Sequence, residues 1–415
     1  MQSPWFARLF FAVVSALALA GIVSGTACTR WGQPGPVTPT IAPLMALYVD
    51  ANNGSDTSGN GSLAKPYKTL TKAVAVLASA KSLSPMGVTI TLASGDYDAA
   101  NGEKFPIVVP TSVTISGPNF GSSPKNGAFV NGLGEDTLFE QIVHAPAHSA
   151  YTTLEVAPPA SVTLGDIYVG ASKITLPGSK AFYASIDVLS TVSASDVAFG
   201  AGIVSGLRNV NGAVVPGGTL TCSSCVIRGN DFGVGAFAVP VATASPYSTG
   251  PSITLNNSAG HDADVSAKVA DLLTDGNVNV TAFGEHFEQA NYAYADALTP
   301  IVPVTVRGAV DFGGGAADSS GGNVFIGART TEIFVGRRNE TVSALDDTWN
   351  PNQQRANRGG VYVRRITFAA GATGKNVTVR HDAVGSTVMV GPEPVPTPTP
   401  TTTPSSSPTS TPSPT

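Results

Sequence analysis

The chain has 415 residues, 12% charged and 42% hydrophobic, with 45 Gly, 31 Pro and a formal net charge of −5. This is enough apolar material for a large core, but the charge content is low for an ordinary cytosolic enzyme. The acidic balance excludes an electrostatic nucleic-acid binder, and 3 Cys are too few for a disulfide framework.

The chain begins with a targeting pattern. Arg8 and the amino terminus form a positive region, and Leu9 to Val23 follow as an apolar run. Gly25-Thr26-Ala27 then place small residues before Cys28. A run of about 15 residues suits a signal peptide over 1–27 better than a membrane span. Cys28 allows two readings. It is the acceptor of a bacterial lipoprotein box, although Gly25 stands where Leu is usual, or it is incidental in a secreted chain. The Pro/Gly/Thr-rich residues 28–43 read as a flexible tether. Residues 391–415 are Pro, Thr and Ser almost throughout and read as an extended, disordered tail. The folded part is therefore expected at 44–390.

Within it one pattern recurs: polar, apolar, polar, apolar, two small or polar residues, then apolar again. It begins at Gly87, Ser112, Ser161, Thr191, Thr219, Ser252, Asn277 and Pro303. The starts lie 25 to 33 residues apart, except for one gap of 49 that reads as two turns. The alternation puts Val88/Ile90, Val113/Ile115, Val162/Leu164, Val192/Ala194, Leu220/Cys222, Ile253/Leu255, Val278/Val280 and Val304/Val306 on one strand face each. Short strands returning at this interval bury that face only by stacking turn upon turn. The expected fold is all-β, a right-handed parallel β-helix. Residue pairs such as Gly165-Asp166, Ser195-Asp196, Ser223-Ser224 and Asn256-Asn257 follow the strands and tolerate left-handed backbone. A tight bend there re-aims the seventh position inward. Helical patterns occur at Thr69–Ala80 and, more briefly, at Asp264–Leu273, the first placed to cap the open end of the coil.

The amino-terminal stretch carries Tyr48-Val49, Asn53-Gly54-Ser55-Asp56, Lys65-Pro66-Tyr67-Lys68-Thr69-Leu70, Gly95-Asp96-Tyr97 and Gly102-Glu103-Lys104-Phe105-Pro106. In this order it resembles the start of domain-of-unknown-function family 1565. Gly321-Gly322-Asn323-Val324-Phe325 and Asp347-Thr348-Trp349-Asn350-Pro351 resemble that family's final turns. The resemblance implies a bacterial exported protein of pectate-lyase-like fold, and it implies no common reaction.

A lyase on such a scaffold needs a cation or Arg, a base and carboxylates for Ca2+, whereas a hydrolase needs paired acids. Asp166 and Asp196 occupy the same repeat position and should stack roughly 5 Å apart. They are the candidate catalytic or cation-binding pair, although the turn column alone also explains them. Arg228, Asn230 and Asp231 follow nearby as candidate catalytic partners or as ordinary turn chemistry. Asp50, Asn53, Asp56 and Asn60 form an oxygen-rich loop best read as a capping turn. Cys222 and Cys225 are expected as a local disulfide or as two core thiols. His144 and His148 are separated by Pro146, and His261 lies in a polar loop, so the His residues do not converge. Asp346-Asp347 lacks the flanks of a polygalacturonase-like site.

Three readings remain, in order of preference. The first is a surface protein that binds glycan or another surface component without catalysis, through aromatics such as Tyr168, Phe199 and Phe232. The second is a polysaccharide lyase or glycoside hydrolase. The third is a structural stalk. No cofactor is required, with Ca2+ the cation such a site would take. The expected state is a monomer, reaching a membrane only through Cys28.

Overall fold

The computed structural model describes most of residues 46–350 and the strand 387–390. Residues 1–45, 351–386 and 391–415 lie outside the described set, as do breaks at 81–86, 119–125, 172–180, 239–249, 257–263, 297–308, 314–318, 327–330, 336–340 and at scattered shorter positions. Cys28, His144, Asn230, Asp231, Asn257, His261, Val304 and Val306 are therefore not placed, and neither are the signal, tether and tail segments.

The described chain is all-β, and its strands form three long parallel sheets of 11, 9 and 9 strands. Each turn of chain gives one strand to each sheet. Val88–Leu92 enters the first sheet, Gly95–Asp98 the second and Ile107–Val109 the third. Val113–Ser116, Ala128–Asn131 and Ala150–Val156 then repeat the circuit. Apart from Gly134–Glu135, which pairs antiparallel with Ala150–Val156, and the antiparallel hairpin of Arg208–Val210 and Ala213–Val215, the described strands pair in parallel with their counterparts one turn away, an arrangement compatible with a β-helix or solenoid.

Strand alternation supplies the core. In the first sheet Val88, Ile90, Val113, Ile115, Val162, Leu164, Val192, Ala194, Leu220, Cys222, Ile253 and Leu255 are all buried. The next turn is phased two residues later than expected, because Ser252 pairs with Asn279, so Val280 and Ala282 are the inward pair. Val278 is buried as well, just ahead of the strand. The eighth expected strand is also displaced. Asn279 pairs with Ala309, and Val310 and Phe312 take the inward positions. Each such side chain contributes roughly 1.5–3 kcal/mol by leaving water. In the second sheet Phe287 and Phe325 stack on neighbouring strands with centroids 5.2 Å apart.

The interval of 49 is one turn. Val113 pairs directly with Val162, and the additional length holds a helix in the connection from second to third sheet. This helix, Thr137–Val143, is amino-terminally capped by Asp136, whose Oδ1 accepts the N–H groups of Leu138 and Phe139 at 3.0 and 2.9 Å. Phe139 and Ile142 form a second apolar cluster with Ala150, Ala184, Val204, Phe232 and Phe237, separate from the main core. The segment 264–273 is two strands, Asp264–Ser266 and the start of Ala270–Gly276, and not a helix.

The outer side of the first sheet is a set of aligned polar ranks. The central rank runs through Thr89, Thr114, Thr163, Ser193, Thr221, Thr254 and Thr281, each in register with the next.

The amino-terminal helix Leu70–Ser79 lies against the strands Ala46–Val49 and Ile107–Val109, and Ala46–Val49 is the terminal strand of the first sheet. Its Leu70, Ala73, Val74 and Leu77 join the main core. Thr69 is its cap residue, with Oγ1 accepting from Lys72 N at 3.0 Å.

Candidate functional site

The passage from first to second sheet is a single tight turn repeated up the molecule. Asp166, Asp196 and Ser224 have φ of 55, 55 and 54°, and Gly284, at the same place two turns past Ser224, has 65°. Short polar side chains and Gly tolerate this left-handed backbone. The turn is also a ladder of hydrogen bonds. Asp166 N donates to Ser195 O at 3.3 Å, Asp196 N to Ser223 O at 3.1 Å, and Ser224 N to Asn256 O at 2.9 Å. The bend turns Ile167, Val197 and Cys225 into the core.

Asp166 and Asp196 are thus neighbours in one column, both half-buried. Burial, and then the charge of Asp196, push the Asp166 carboxyl above its ordinary range. Ser195 Oγ donates to Asp196 Oδ2 at 2.9 Å. Among the described residues no group of three or more His, Cys, Asp or Glu is arranged to hold a metal ion.

Just past this turn the second sheet presents an aromatic pair on its outer side. Tyr168 is paired in register with Phe129, and their rings lie 5.8 Å apart, tilted by 43°. Both are half-buried. Asp96 is the next residue in register beyond Phe129. Gly200 makes room for Tyr168: a Cβ there would lie 1.8 Å from the Tyr168 hydroxyl oxygen. Asp96, Phe129 and Tyr168 are consecutive in register on the outer side of the second sheet, and Asp166 and Asp196 stand in the turn that precedes it. Rings can stack on a sugar's apolar face while carboxylates accept its hydroxyls.

The other expected aromatics do not join this patch. Phe199 is 1% exposed and belongs to the main core, because it falls on the inward phase of the second sheet. Phe232 is 2% exposed and packs edge-on against Phe139 and Phe237 in the cluster beneath the inserted helix. Arg228 is exposed, but it ends the strand Val226–Arg228, whereas Asp196 stands ahead of the neighbouring strand Ala198–Phe199. Arg228 therefore stands at the far end of its strand from the turn that carries the acidic column, although the two strands are neighbours. Cys222 and Cys225 are bonded to each other, with Cα atoms 5.9 Å apart, and both are buried. His148 is exposed and pairs with Glu135 at 2.7 Å, which raises its pKa.

The family-like loop is committed to structure. Asp50 Oδ1 accepts the N–H groups of Asn52 and Asn53, and Oδ2 accepts Asn53 Nδ2. Burial pushes the Asp50 pKa up, but these three bonds outweigh it and hold the carboxyl low. Asp56 accepts from Lys68 N, Thr69 N and Thr69 Oγ1 at 2.8, 3.0 and 2.7 Å. Asn60 Oδ1 accepts from Ser62 N at 3.1 Å.

Two acidic features escape the sequence pattern. Glu155 and Asp187 are paired in register on adjacent strands of the third sheet, and Asp187 is fully buried. Their strands fall in connections whose length varies from turn to turn, so no repeat marks them. Asp271 is buried in the strand Ala270–Gly276, where it accepts from Ala267 N at 2.9 Å. Burial, with Glu288 adding to it, holds its carboxyl well above the ordinary range.

Sheets and turn column together define an all-β protein of parallel strands, compatible with a solenoid. Residues 52–157 match the family described as "Protein of unknown function (DUF1565)". Two solved structures align with much of the chain. One is the GH136 lacto-N-biosidase from Eubacterium ramulus, with 11% identity, a TM-score of 0.33, and coverage of 84% of this chain and 68% of that one. The other is ybhc of Escherichia coli, with 11% identity, a TM-score of 0.33, and coverage of 86% and 88%. No curated protein matches the sequence.

Proposed function

We propose that the chain is an exported or lipid-anchored bacterial surface protein that binds carbohydrate without turning it over. Its body is read as a right-handed parallel β-helix, since crossovers between parallel strands are right-handed in nearly all proteins. Export rests on the signal pattern over 1–27, and anchoring on Cys28. The observation that carries binding is the Phe129–Tyr168 ring pair, in register with Asp96 on the outer side of the second sheet.

The test is incubation of the mature protein with a panel of neutral and uronic polysaccharides, with and without Ca2+. Retention that is lost in Tyr168→Ala supports the reading. Unsaturated or newly reducing products would replace it with an enzymatic one. Absence of retention across the panel would remove it.

Hydrolysis is the second reading, and Glu155 beside Asp187 favours it. Neighbouring parallel strands place side chains about 5 Å apart, the separation of a retaining carboxylate pair. New reducing ends abolished in Asp187→Asn, with the fold intact, would support it.

A further inference from the structure

We propose that the outer face of the first sheet is an ice-binding surface, separate from the aromatic patch. Its central rank holds Thr or Ser at seven successive turns, from Thr89 to Thr281, in unbroken parallel register. The rank ends at Asp311, which is in register with Thr281 and buried. Flanking ranks carry Ser161, Thr191, Thr219 and Ser252 on one side, and Ser116, Ser195, Ser223 and Asn256 on the other. Ser161, Thr163, Thr191, Ser193 and Thr219 are exposed, and Thr89, Thr114, Thr221, Thr254 and Thr281 of the central rank are half-buried.

Strand propensity favours Thr, but it does not account for the charges. Exposed sheet surfaces ordinarily carry Lys and Glu among their Thr residues. Here no ionisable side chain occurs in the three ranks from Thr89 to Thr281. One hydroxyl gains little by exchanging a bulk water for an ordered one. A rigid rank repeating at about 4.8 Å holds many waters at one interval, close to an oxygen repeat of the ice lattice. Thr methyl groups between the hydroxyls add apolar contact, and the carboxylates of Asp166 and Asp196 stand just past one edge of the face, where Ser195 Oγ donates to Asp196. A neutral, repeating face thus complements a neutral, repeating solid. The rank through Thr91 and Asn256 continues to Tyr48 at one end and Phe283 at the other, but no aromatic lies between them, so the span between lacks the stacking platform a sugar chain uses.

The test uses the folded full chain in ice-affinity partition and thermal hysteresis. Thr163→Tyr and Thr221→Tyr place bulk on the outer side and should keep the wild-type melting transition. The expected result is uptake of wild type and of Tyr168→Ala into ice, with loss of uptake and hysteresis in both Thr variants. Failure of the wild type to enter ice would overturn the proposal. So would Thr variants that enter as well as wild type. Retention on a neutral polysaccharide that the Thr variants lose, without ice uptake, would reassign the face to glycan.

Discussion

Glu103 Oε1 accepts the backbone N–H of Leu70 at 2.5 Å, across 33 residues of sequence. Its other oxygen accepts Thr71 N at 2.9 Å and Thr71 Oγ1 at 2.6 Å. The carboxylate meets the N-terminal end of the capping helix, where N–H groups lack helical partners and the dipole favours negative charge. Burial nonetheless raises the Glu103 pKa. With Asp50, Asp56 and Thr69, this residue accounts for much of the family signature as the means of closing one end of the coil.

Glu103→Ala should therefore lower stability by about 2 kcal/mol, since it strands buried donors once paired to a charged acceptor. Thr69→Ala should cost about 1 kcal/mol. Chemical denaturation followed by far-UV circular dichroism measures both. Losses within error of wild type would show that the cap is not needed to hold the coil closed.

The turn column predicts an asymmetry at Asp196. Its φ of 55° is accessible to Gly and Asn. Asp196→Asn should leave stability nearly unchanged and return the Asp166 pKa toward its ordinary range. Asp196→Val should cost on the order of 1–2 kcal/mol, because a β-branched side chain resists that backbone. Thermal melts and carboxyl titration by NMR separate the two effects.

Asp271 should make stability depend on pH. Its folded pKa is raised, so the native state holds the proton more tightly than the unfolded chain. The contribution is fully present below the unfolded carboxylate range and is lost as pH rises through the folded pKa. Relative to Asp271→Asn, wild type should gain melting temperature as pH falls from neutral. Parallel pH profiles for the two proteins would contradict this assignment.

Tyr168 and Phe199 separate binding from packing. Tyr168→Ala should abolish glycan retention while costing little stability. Phe199→Ala empties a core position and should cost about 3–5 kcal/mol. If Phe199→Ala folds and loses retention more than Tyr168→Ala does, the aromatic patch is wrongly placed.

The first-sheet strands were legible because each alternates over four positions and is followed by residues suited to a left-handed turn. Phase was less secure where the alternation runs long. In Asn277-Val278-Asn279-Val280-Thr281-Ala282 the pattern can start at either Asn, and only pairing of Ser252 with Asn279 chooses. Apolar spacing in 264–273 also mimics a helix, whereas Val265 and Leu272 point inward from two different sheets. The inserted helix Thr137–Val143 went unread because its apolar side faces a secondary cluster that the repeat does not describe.

Local sequence determined the repeating unit, the inward pairs, the left-handed turns and the capping helix. Each depends on residues a few positions apart, where period-two alternation and turn preference act directly. Only the tertiary structure decided that the 49-residue interval is one turn, that Phe199 and Phe232 are buried, and that Arg228 stands away from the acidic column. Those facts depend on which strands stack and which face each turn presents, and so on contacts between residues tens of positions apart.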